Sequence, residues 1–74
     1  MKELIEDWNE LGNHYKVWEE EKGHGWKARY EYSCQLTTRN GKVYEAKGVS
    51  PDDAVDNALD MKIYEGIKPG QEFG

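Results

Sequence analysis

From Trp26 to Thr37 the chain alternates without a break. Trp26, Ala28, Tyr30, Tyr32, Cys34 and Leu36 take the even positions, and Lys27, Arg29, Glu31, Ser33, Gln35 and Thr37 the odd ones. A period of two sustained this long fits a β-strand with one face buried and the other wet. The chain must therefore build a sheet and cover one side of it. Asn40-Gly41 then marks a hairpin whose register can be argued. A two-residue turn would pair Leu36 with Glu45 and put Tyr44 and Ala46 on the wet face. A three-residue loop, Arg39-Asn40-Gly41, pairs Leu36 with Tyr44 and Cys34 with Ala46. Because a one-residue slip flips every side chain, burial selects the second and predicts Gly41 at positive φ.

The flanking segments supply the cover. Leu4, Ile5, Trp8 and Leu11 recur at helical spacing, with Glu3, Glu6, Asp7 and Glu10 on the other side and Gly12 as a stop, which predicts a helix over residues 2–11. From Tyr15 to Glu21 the pattern alternates, Tyr15 and Val17 on one face and Lys16 and Trp18 on the other. Residues 19–25 read as a polar turn. Ser50-Pro51-Asp52-Asp53 carries an N-cap, a proline at N1 and two acids for the first turn, which opens a second helix. Its apolar stripe is Ala54, Val55, Ala58, Leu59 and Ile63, with Asp52, Asp53, Asp56, Asn57 and Asp60 opposite, and Gly66 closes it. The expected fold is α+β: helix, three-stranded antiparallel sheet, helix, with both helices on one sheet face. With 74 residues there is material for one domain, over residues 1–66, followed by a tail over 67–74.

That order of elements is similar to the double-stranded-RNA-binding domain, and the likeness reaches individual residues over about 4–63. Tyr15 and Val17 match its first strand, Glu21-Lys22-Gly23-His24 a shortened form of its first loop, Asn40-Gly41-Lys42 its second hairpin, and Gly48-Val49-Ser50 the approach to its last helix. Tyr30 stands where the family has an aromatic, and Ala54 and Ala58 match its small residues facing the sheet. The resemblance implies duplex-RNA contacts from the first helix, the first loop and the start of the last helix; Lys22 and His24 keep something of that loop, and a rewired RNA surface would use them with Lys27 and Arg29. The family's last helix, however, opens with lysines that meet phosphates, and here Pro51, Asp52 and Val55 occupy those positions. Each reversed charge costs about 1 kcal/mol or more at low effective dielectric. The net charge of −5 works in the same direction.

No catalytic arrangement emerges. Cys34 alternates with Tyr32 and Leu36 as a core residue and not as an activated thiolate. His14, His24 and Cys34 are too scattered for a zinc site, so no metal or cofactor is expected. Asp52, Asp53 and Asp56 lack the shielding that would raise a carboxyl for acid–base work. The single cysteine excludes an intrachain disulfide, and no apolar run approaches the roughly 20 residues of a membrane span, which predicts a cytoplasmic protein away from membranes. The function expected is a non-catalytic, acidic protein-interaction module. It would act as an inhibitor or modulator of a nucleic-acid-handling host protein, as a phage-encoded protein would. Its contact surface would be the acidic faces of the two helices or the Trp18 sheet face, with Trp18, Asp52, Asp53, Asp56 and Asp60 as the contact residues. A weak or rewired double-stranded-RNA-binding domain is the alternative. Self-association through an unpaired strand edge near residues 15–19 is a further expectation.

Overall fold

The computed structural model describes residues 2–23 and 25–66. It builds four strands and one helix: β1 (Lys2–Glu10), β2 (Asn13–Lys22), β3 (Arg29–Thr37), β4 (Val43–Gly48) and α1 (Pro51–Gly66), with a single 3₁₀ turn at Gly25–Lys27 between β2 and β3. The strands form one antiparallel meander in the order β1-β2-β3-β4. The helix lies across β4, β3 and part of β2, and β1 stands outside its footprint. The result is thin and elongated, 48 × 28 × 15 Å.

The expected first helix is therefore corrected to a strand, and the three-stranded sheet flanked by two helices to a four-stranded sheet with one. The helical spacing of Leu4, Ile5, Trp8 and Leu11 has a different cause. A β-bulge between Leu4 and Glu6 sets Leu4 opposite Trp18 but Trp8 opposite Tyr15. One extra residue moves the two ends of the strand's apolar set onto opposite faces. Ten residues in isolation would make a marginal helix. Paired with β2, Trp8 stacks on Tyr15 at 4.7 Å between ring centroids with 8° between the planes, and the Lys2 ammonium lies 5.2 Å from the centre of the Trp18 ring. Tertiary contacts override a helical pattern of this length.

The turn joining β1 to β2 also departs from the expected helix end at Gly12. Glu10 pairs with Asn13, leaving Leu11 and Gly12 as a two-residue loop with φ of 52° and 85°. Two left-handed residues in succession make a type I′ turn, which usually has Asn-Gly or Gly-Gly. Leucine there gives no sequence signal.

The second hairpin follows expectation. Leu36 pairs with Tyr44 and Cys34 with Ala46, Gly41 has φ 87°, and the Thr38 amide donates to the Lys42 carbonyl at 2.8 Å around the three-residue loop. The helix start holds as well. The Asp53 amide donates to the Ser50 hydroxyl at 3.1 Å, and the Asp53 carboxylate accepts from the Val49 amide at 3.0 Å, a reciprocal cap.

The core is small: Tyr15, Val17, Cys34, Leu36 and Tyr44 from the sheet and Ala54 and Ala58 from the helix, with Trp8, Tyr32, Ala46, Val55 and Leu59 packed around it. The two alanines are fully buried and let the helix sit close to the strands. Gly48 is as tight, since a Cβ there would stand 2.7 Å from an Asp53 carboxylate oxygen and 2.8 Å from that residue's carbonyl carbon. Asn57 ties the pair further, its amide donating to the Lys47 carbonyl at 2.7 Å. Ile63, expected in the stripe, is exposed.

Candidate functional site

Register sorts the charged side chains between the two faces, because paired residues share a face and neighbours along a strand do not. On the side that carries the helix, the strand positions between and beyond the core residues are Glu3, Glu6, Glu10, Glu19 and Glu21, with no base among them. Lys2, Lys16, Lys22, Arg29 and Lys47 all lie on the open face, interleaved there with Asp7, Glu20, Glu31 and Glu45. Ion pairs reinforce this mixture, with Lys22 on Glu20 at 3.4 Å and Lys47 on Glu31 at 3.2 Å, the latter holding the Glu31 carboxyl below its ordinary value. Asp7 bonds His14 on the same face. The open face is thus close to neutral, and the helix side is anionic.

The helix adds to this asymmetry. Where its first turns pass beside β1, Glu6, Asp52 and Asp56 surround Trp8 and Val55 in a groove of about 360 Å³. Glu6 is on the helix side because of the bulge, which puts it opposite Val17. Asp52, Asp56 and Asp60 follow one another at one-turn spacing and are exposed. The site is an anionic rim over a half-buried tryptophan, which suits contact with cations and an apolar anchor.

Comparisons of the chain with protein-family models, with curated proteins and with solved structures give no match.

The residues singled out from sequence divide accordingly. Asp52 and Asp56 meet in the groove, with Asp60 one turn further along. Asp53 is spent on the helix cap. Trp18 lies on the opposite face, half-buried between Leu4 and Ser33 in register, and so forms no common surface with the aspartates. Lys22 and Arg29 face each other across β2 and β3. Lys27 is in the 3₁₀ turn, its ammonium 5.0 Å from the centre of the Trp26 ring. His24 lies outside the described residues, as does the expected tail over 67–74. Trp26, expected in the core at the start of the long strand, is 89% exposed at the hairpin end, because the strand begins three residues later. Glu19-Glu20-Glu21, expected in a turn, belongs to β2. The edge at Tyr15–Glu19, expected to be free, is paired with β1 on one side and β3 on the other.

Glu6 and Trp8 are the site residues that sequence reasoning missed. Their place depends on the bulge, and nothing in residues 2–10 announces one.

Two titratable groups respond to this environment. Burial, and then the Glu6 charge, push the Cys34 thiol up to about 11, so it stays protonated at neutral pH. The Tyr32 hydroxyl donates to Glu19 at 3.0 Å, which raises its pKa above the ordinary value. Among the described residues no group of three or more His, Cys, Asp or Glu side chains is placed to hold a metal ion, and no helix is long and apolar enough to cross a membrane.

Proposed function

We propose that this chain is a non-catalytic interaction module whose helix side docks on a basic protein surface of the kind that grips nucleic acid. It thereby inhibits or modulates a nucleic-acid-handling host protein. The observation that supports this is the sorting of charge by register: five strand glutamates on the helix side and five strand bases on the other face. A chain of net charge −5 carries its excess on one surface, where it steers a cationic partner and fixes its orientation. Trp8, in the groove between Glu6, Asp52 and Asp56, gives that surface an apolar centre of the type that dominates binding energy.

The test is affinity capture from host lysate with the intact chain as bait. A nucleic-acid-binding protein should be retained, released by heparin, and lost when Glu6, Asp52 and Asp56 are changed to lysine. Retention of nothing, or of proteins that heparin fails to displace, would contradict the reading.

The direct opposition of Lys22 and Arg29 favours a second reading, weak nucleic-acid binding on the open face. It ranks below the first because Glu20 and Glu31 are the next pair along the same face. A salt-dependent gel shift with duplex RNA that Arg29→Glu abolishes would reverse the order.

A further inference from the structure

At the end of the molecule away from the β2–β3 hairpin, three segments meet around an open groove of about 570 Å³. The β1–β2 turn contributes Leu11 and Asn13, the β3–β4 loop Arg39, Asn40 and Lys42, and the last turns of α1 Lys62 and Glu65. The volume is within the range of roughly 300–1,000 Å³ in which proteins hold small molecules. Its charge is the reverse of the surface beside it. Among the described residues three cations line it, and one carboxylate, Glu65, which pairs with Lys42.

Two of these cations have close neighbours in the fold. The Arg39 guanidinium lies against Gly12, where a Cβ would stand 2.6 Å from Nη2 and 2.7 Å from Nε. The glycine that the type I′ turn requires is thus also the gap that seats the arginine. Lys42 pairs with Glu65, and its ammonium lies 5.8 Å from the centre of the Tyr44 ring. A planar guanidinium fork, two ammonium groups and the amides of Asn13 and Asn40 offer many donors around one centre, the requirement of a tetrahedral oxyanion and more than a single carboxylate can use. With Glu65 counted, the described residues of the groove carry two net positive charges, matching a phosphate dianion.

We infer that this groove is a binding site for a small phosphate-bearing molecule, with Arg39, Lys42 and Lys62 as its cationic donors. A free small ligand fits better than a nucleic-acid backbone, because Glu10 and Asp60 stand on the elements that lead away from the groove and would repel the next phosphates of a polymer.

The test uses the full ¹⁵N-labelled chain at about 0.15 M salt, titrated separately with inorganic pyrophosphate and with a short RNA duplex. Pyrophosphate should give saturable amide shifts centred on Asn13, Thr38–Gly41 and Lys62. Arg39→Gln and Lys62→Gln should each weaken it at least about tenfold, and Glu6→Gln, in the opposite groove, should leave it unchanged. The atoms nearest a Cβ at Gly12 all belong to Arg39, so the Lys62 variant decides the matter even if Arg39→Gln disturbs the turn. Shifts that fail to saturate, shifts centred on Lys16, Lys22 and Lys47, or unchanged affinity in Lys62→Gln would overturn the site. Tighter binding of the duplex at the same residues would overturn the choice of a small ligand.

Discussion

Leu11 is the residue least suited to its place. Its φ of 52° is left-handed, a conformation that costs an L-residue with a Cβ about 1 kcal/mol or more, and its side chain is 90% exposed, so burial returns almost nothing. Leu11→Asn creates the Asn-Gly pair that type I′ turns favour. It should raise stability by about 1 kcal/mol and the melting temperature by roughly 4–8 °C, read by calorimetry; an unchanged melting temperature would contradict the turn assignment. Cys34 gives the second prediction at this scale. Its thiol is pushed up from 9.0 to about 11 in the folded state, so between these values the unfolded chain releases a proton that the folded chain keeps. Stability from this group is fully present below pH 9 and declines as pH rises towards about 11. Denaturant titrations across that window should show a steeper loss for the natural chain than for Cys34→Ala. Parallel curves would mean the thiol reaches solvent.

At the scale of elements, the contact of Gly48 with the start of α1 carries the helix-to-sheet fit. Any Cβ there must displace helix backbone at Asp53, so Gly48→Ala should cost about 1–3 kcal/mol by chemical denaturation, a large share of what a domain this small has. A cost below about 0.5 kcal/mol would show that the helix end can shift freely. β1 pairs with β2 alone, and Trp8 stacks on Tyr15 across that pair. Trp8→Ala should therefore raise amide exchange in β1 well before it affects β3, and uniform acceleration across the sheet would contradict that independence. These elements also show what could be read in the chain. The β3–β4 register and the helix cap rest on short-range rules about alternation, glycine and capping side chains, and residues 33–54 displayed all three. β1 broke them, since its bulge converts a strand's alternation into helical spacing, and Leu11-Gly12 hides a hairpin behind a residue that rarely makes one. The candidate site was half legible for the same reason. Asp52 and Asp56 could be named from the helix pattern, but Glu6 and Trp8 join them only through the bulge.

For the whole molecule, the decisive property is where charge lies, more than how much there is. An acidic protein with its carboxylates spread evenly would repel polyanions and attract cations without preference of direction. Here the sheet register gives one side only glutamates and leaves the other mixed, and binding to a basic partner should depend on which side is altered. Two triple variants with the same change in net charge separate these cases: Glu6, Asp52 and Asp56 to lysine on the helix side, and Asp7, Glu20 and Glu45 to lysine on the open face. Measured by calorimetric titration against the captured partner, the helix-side variant should lose binding by two orders of magnitude or more, on the order of 1 kcal/mol for each reversed charge, while the open-face variant stays within about threefold of the natural chain. Equal loss in both, or loss in the open-face variant alone, would contradict the account.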